Sequence, residues 1–177
     1  MKIIVQEARN SDYNKQRADS ILEALRLKRC ISLSLDICSI CNLNCSFCYV
    51  HSGELKNLEG QEGLMDEKLY YKIIGDIADS GYKLKALHFS GWGEPLIQKK
   101  LPEMISFAHK SGIAERLILV TNGILMNEDV FEQLLSSGLD EIRISLDTVD
   151  RESYIKIKGH DKLQTVLKNI DYAINRL

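Results

Sequence analysis

No single sign of charge dominates these 177 residues: 23 Lys and Arg against 25 Asp and Glu leave a formal net charge of −2. That balance excludes a general electrostatic pull toward nucleic acid or an anionic membrane. Long apolar runs are missing too, and none approaches the roughly 18 residues that suggest a membrane span. The start, Met1-Lys-Ile-Ile-Val-Gln-Glu, has neither the apolar stretch nor the small-residue cleavage site of a signal peptide. The five cysteines are odd in number, and four of them (Cys38, Cys41, Cys45, Cys48) fall within eleven residues, too bunched for a disulfide framework. A reducing cytoplasm is the expectation. Low-complexity segments and linkers flanked by domains are absent as well. What is present, 45% apolar and 27% charged residues, suits a soluble globular chain with a sizeable core.

Strand and helix patterns alternate along the chain. Lys2–Val5 reads as a short strand, and Ser11 or Asp12 can cap a helix to about Lys28 that buries Ile21, Leu22 and Leu25. Residues 1–30 are therefore expected to be an N-terminal extension with a helix, ahead of a core domain over 31–177. Residues 31–37 alternate apolar with serine and aspartate and read as the first core strand. A polar connection over 52–63 leads to a helix started by Asp66, with Leu69, Tyr70, Ile73, Ile74 and Ile77 as its stripe and Gly81 near its stop. Further strands are expected at 85–90, 116–121 and 141–146. The helices between and after them start near Leu101-Pro102, at Asn127, and over about 151–157 and 162–176. Four βα units in succession imply parallel strands with right-handed crossovers and helices outside, an α/β partial (β/α) barrel.

Ligands in parallel α/β folds sit at the carboxyl ends of the strands. Every unusual polar motif here falls at such an end. Cys41-Asn-Leu-Asn-Cys45-Ser-Phe47-Cys48-Tyr49 follows the first core strand, Gly91-Trp92-Gly93-Glu94-Pro95 the second, Asn122-Gly123 the third, and Ser145-Leu-Asp147 the fourth. Three thiolates in one eight-residue loop cannot easily ligate one tetrahedral ion and also fill its fourth position. They can each hold one iron of a cubane, which takes four ligands when fully bound by cysteine. Three leave one iron open to a substrate or cosubstrate.

Cys41-x3-Cys45-x2-Cys48, with Phe47 before the last cysteine, resembles the signature of the radical S-adenosylmethionine (radical SAM) superfamily, in its SPASM-type or MoaA-like members. The resemblance implies a 4Fe–4S cluster on Cys41, Cys45 and Cys48, with SAM chelating the open iron. It further implies reductive cleavage of SAM to a 5′-deoxyadenosyl radical that abstracts hydrogen, with electrons from an external donor such as flavodoxin or ferredoxin. Gly91, Trp92, Gly93 and Glu94 resemble the family's GGE-type motif that meets the SAM amino group, with Trp92 an added residue between the glycines. Asn122, Ser145 and Asp147 resemble groups that meet ribose or carboxylate, and Phe47 and Tyr49 resemble the aromatics that flank adenine. Lys158-Gly159 stands where many members carry Arg-Gly. The implied roles lie in peptide or protein modification, or in sugar or cofactor biosynthesis. Family barrels usually have six βα units, so a truncated barrel is expected, with an unpaired edge on the strand at 141–146 and a tendency to associate.

Single residues also have plainer explanations. Glu94, Asn122, Ser145 and Asp147 suit turns and helix caps, and Phe47 suits core packing. Cys38-x2-Cys41 lets a four-cysteine zinc site be drawn, but structural zinc pairs normally lie a dozen or so residues apart. Cys30 and Cys38 read as small core or loop residues, His51 as surface, and His88 as a satisfied core histidine. Two other classes stay open: an iron–sulfur electron-transfer or structural module without SAM chemistry, and a zinc-binding interaction module.

Overall fold

Among the described residues, the short runs of Leu, Ile, Val and Phe become five strands: β1 (Lys2–Val5), β2 (Ser32–Leu35), β3 (Ala86–Phe89), β4 (Leu117–Thr121) and β5 (Glu141–Ile144). The computed structural model describes residues 2–5, 30–48, 50 and 63–177. The helix expected over 11–28, most of the polar connection, and Tyr49 and His51 lie outside the described residues. All pairings are parallel, in the order β1-β5-β4-β3-β2. The four units from β2 to β5 form the expected partial (β/α) barrel.

One expectation is overturned. The outer edge of β5 is not open: β1 lies along it, with Lys2 opposite Glu141 and Val5 opposite Ile144. A strand from the segment before residue 30 thus joins the sheet. Both paired strands are four residues long, and nothing local in either announces the partnership.

Among the described residues, five helices follow the strands: α1 (Glu67–Asp79), α2 (Leu101–Ser111), α3 (Glu128–Ser136), α4 (Arg151–Lys158) and α5 (Leu163–Arg176). Their starts have a visible cause. Asp66, Asn127 and Asp150 each accept a hydrogen bond from the backbone N–H three residues on, at Leu69, Val130 and Ser153. Leu35, Leu87, Phe89, Leu119, Ile142 and Ile144 bury one face of the sheet against Tyr70, Ile74, Met104, Ile105 and Phe131 of the helices. Side chains of that size contribute about 1.5–3 kcal/mol each when fully buried. Tyr70, fully buried, also donates its hydroxyl hydrogen bond to the Met104 carbonyl at 2.7 Å, joining α1 to α2.

Because side chains alternate along a strand, the other sheet face carries a different set. Ser32 and Ser34 come from β2, Ala86 and His88 from β3, Ile118 and Val120 from β4, and Glu141 and Arg143 from β5. One face is hydrocarbon and the other mostly polar.

Candidate active site

The cysteine loop leaves the end of β2 and is held from two sides. Beneath it, the last turn of α4 presents carbonyls: Asn44 N–H donates to Lys158 O at 3.2 Å and Ser46 N–H to Ile157 O at 2.8 Å. Gly159 ends α4 in the left-handed region (φ 76°), and a Cβ there would stand 2.6 Å from the Asn44 carbonyl oxygen. Only glycine meets both demands.

From the second side comes the turn after β3. Glu94 N–H donates to Ile40 O at 2.8 Å, and a Cβ on Gly93 would lie 2.3 Å from Cys38 O. A Cβ on Gly91 would collide with the Asp36 side chain, whose Oδ2 accepts from Trp92 N–H at 3.2 Å. These glycines therefore serve close packing of the turn on the loop. Asp36 Oδ1 is buried with no partner among the described residues.

Glu94 is 2% exposed and is the hub of the turn. Its Oε1 accepts from Thr121 Oγ1 at 2.6 Å and from Leu96 N–H at 3.0 Å, and its Oε2 from Asn122 N–H at 2.7 Å. Burial pushes its pKa up, against the pull of those three donors. Leu96 belongs to a single 3-10 turn, Pro95–Ile97, which the sequence pattern did not reveal. Asn122 Nδ2 donates to Asn42 Oδ1 at 2.6 Å, tying the end of β4 to the cysteine loop. Asn42 carries no motif signal, and sequence reasoning missed it.

Cys41, Cys45 and Cys48 line one cavity of about 190 Å³, together with Phe47, Ser90, Gly91, Trp92, Gly93, Glu94, Asn122, Ser145 and Lys158. The three thiols are partly buried, and Cys48 N–H donates to Cys45 O at 3.0 Å in a tight turn. Burial pushes the thiol pKa of Cys41 up, helped by Glu94 and the other two thiols. Burial does the same to Cys45, with Lys158 pulling the other way. Among the described residues, no three His, Cys, Asp or Glu side chains converge on one ion-sized point. Cys38 stands aside, buried, its thiol donating to Ile40 O at 3.3 Å. Three thiols on one cavity are donors of the kind that hold an iron–sulfur cluster, one per iron.

Asp147 departs from the expected strand end. β5 stops at Ile144, and Asp147 has φ 64°, so it turns out of the strand. There it pairs with Lys158 Nζ at 2.5 Å. The Lys158 side chain is only 3% exposed and sits 5.6 Å from the centre of the Phe47 ring. Phe47 itself is 64% exposed and Trp92 45% exposed, so neither belongs to the core. A larger depression of about 620 Å³ lies between α1, α2 and α3, lined by Tyr71, Phe107 and Glu132, and no cysteine lines it.

Three thiols lie over the carboxyl ends of a partial parallel (β/α) barrel. A family model described as Radical SAM superfamily matches residues 35–176, and the chain belongs to that superfamily. Its members use a 4Fe–4S cluster and SAM. The chain is 36% identical over 143 residues to a probable GTP 3′,8-cyclase of Methanococcus maripaludis, covering 81% of this chain and 45% of that protein. It is 33% identical over 128 residues to a tungsten-containing aldehyde ferredoxin oxidoreductase cofactor-modifying protein of Pyrococcus furiosus, covering 72% and 34%. The chain thus spans less than half the length of these curated relatives. The crystal structure of Streptococcus suis SuiB bound to S-adenosylmethionine shares the fold, with a TM-score of 0.66, 16% identity, and coverage of 97% of this chain and 39% of that one.

Proposed function

We propose that this chain is the N-terminal catalytic portion of a radical SAM enzyme, with residues 31–177 as its core domain. A 4Fe–4S cluster held by Cys41, Cys45 and Cys48 would supply the electron that cleaves SAM to methionine and a 5′-deoxyadenosyl radical for hydrogen abstraction. The observation that carries this reading is the shared cavity. It joins the three thiols to the carboxyl ends of β3, β4 and the stretch after β5.

The chain's own residues divide the work. Lys158, buried and charged, holds the carboxylate end of the cosubstrate with Ser145, while Asp147 fixes the ammonium in place. Glu94 has spent three of its four acceptor positions within the protein, which leaves one on Oε2 for the SAM amino group. Gly91, Trp92 and Gly93 bring backbone beside it, and Asn122 borders the ribose. Phe47, and Tyr49 by its place beside Cys48, flank the adenine. The electron donor is an external flavodoxin or ferredoxin. The names of both relatives, a GTP cyclase and a cofactor-modifying protein, are those of proteins that act on small molecules rather than peptides. They support a small-molecule product.

Anaerobic iron and sulfide reconstitution, followed by dithionite and SAM, tests the assignment. Cluster-bound protein that forms 5′-deoxyadenosine supports it, and Cys41→Ala, Cys45→Ala or Cys48→Ala each removes cluster and product together. The firm ties on Glu94 favour one second reading, a cluster module without SAM chemistry. It predicts iron and sulfide incorporation with no 5′-deoxyadenosine and no spectral change on adding SAM.

A further inference from the structure

The polar face of the sheet is the unusual part of this fold. Parallel strands are normally covered by apolar contacts on both faces, and barrel interiors are filled by layers of branched hydrocarbon. Here β4 keeps that pattern with Ile118 and Val120. Its neighbours break it with Ser34, His88, Glu141 and Arg143. Such a face is built to meet something polar.

Register gives the position. Val120 stands directly opposite Arg143 and lines the cavity beneath the cysteine loop, as does Ser145 two residues beyond Arg143. Arg143 thus stands in the same row as Val120 at the deep end of the cavity; its side chain, 31% exposed, adjoins the lining without being part of it. Its Nε donates to Oε1 of Glu141, a carboxylate only 5% exposed that also lies 3.7 Å from Arg116. This bond holds the guanidinium plane and leaves the two terminal amino groups with no partner among the described residues. His88 lies in the adjoining row, with Ser34 opposite it on one side and Ile118 on the other. Arg116, Arg143 and Glu141 together carry a net positive charge.

We infer that Arg143 binds an oxyanion of the substrate, a phosphate or carboxylate group, at the floor of the cavity, with Glu141 as the positioning residue behind it. A guanidinium anchored through Nε presents its remaining edge as two parallel donors, the geometry that matches either anion. His88 adds a third donor from β3. The inference rests on the proposed function, because it places the anion on the side of the cavity that faces SAM.

The test measures binding of pyrophosphate and of succinate, by calorimetry, to the reconstituted protein with SAM. Glycerol serves as the neutral control. Arg143→Gln is expected to weaken whichever anion binds by at least tenfold, with iron and sulfide content unchanged. Arg143→Lys is expected to recover part of the affinity but not the bidentate component. Because Arg143→Gln leaves the buried Glu141 carboxylate with only the Arg116 contact, the Glu141→Gln/Arg143→Gln pair serves as a second variant without that buried charge. Preference for pyrophosphate identifies a phosphorylated substrate, and preference for succinate a carboxylic one. If neither anion binds the parent, or if the Arg143 variants and the pair bind it as tightly as the parent does, the inference is overturned. A protein that binds anion through Arg143 yet makes no 5′-deoxyadenosine instead removes the proposed function.

Discussion

Two single residues behave in ways that their burial makes measurable. Tyr154 is 1% exposed on α4, and its hydroxyl has no hydrogen-bond partner among the described residues. Burial pushes its pKa up to about 12, with Cys45 and Asp147 adding to the push. An unpaired buried hydroxyl carries its desolvation cost without return, so Tyr154→Phe in the cluster-free protein should raise stability by about 1 kcal/mol. For a chain this long that is a melting temperature higher by roughly 2–4 °C. A clear loss of stability would show that the oxygen has a partner. His88 makes the opposite kind of case. Burial, Arg143 and Arg116 hold its pKa below the ordinary 6.5, and Glu141 only partly offsets them. The unfolded chain therefore takes up the proton first as pH falls. The stability tied to neutral His88 is complete above 6.5 and is lost as pH drops through the lower, folded value. His88→Gln should flatten thermal melts between about pH 8 and about pH 5 relative to the parent. Equal slopes in the two proteins would remove His88 as a source of acid sensitivity.

At the scale of elements, the contact between α4 and the cysteine loop can be separated from stability in general. Gly159→Ala forces a left-handed alanine, costing at least about 1 kcal/mol, and drives its methyl toward the Asn44 carbonyl. Asn127→Ala removes a helix cap far from the loop at a similar cost of about 1 kcal/mol. Both variants should melt earlier, but only Gly159→Ala should lose iron on desalting after reconstitution. If both lose it equally, global stability and not loop geometry governs cluster retention. These elements were also the legible ones. Asp66 and Asn127 mark their helices because a capping side chain acts within one turn, and Gly81 marks a stop for the same local reason. Spacing showed the three cysteines because the loop that holds them is short. The sequence did not reveal that Asp147 leaves the strand to pair with Lys158, or that Glu94 is tied to Thr121 and Asn122. Those partners are 11, 27 and 28 residues away, and no periodicity records such contacts.

For the molecule as a whole, the decisive long-range contact is β1 on β5, which links residues about 140 apart through four paired positions. Parallel strands cannot be joined by a tight turn, so sequence patterning gives no cue to this pairing. Its physical effect is to cover the backbone donors and acceptors of β5, a strand whose helix-side residues Ile142 and Ile144 are already core. The outer edges of the sheet then become β1 and β2. Removing residues 1–5 should uncover a row of unpaired groups on β5, and edge-to-edge pairing between molecules is the usual consequence. In sedimentation velocity the shortened protein is expected to form dimers and larger species at concentrations where the parent does not. The cysteine loop leaves β2 at the opposite edge and is held by α4 and the turn after β3, so iron and sulfide uptake by the monomer fraction should be retained. A shortened protein that sediments like its parent would mean that β1 adds little to the sheet, and that the β5 edge is protected by other parts of the chain.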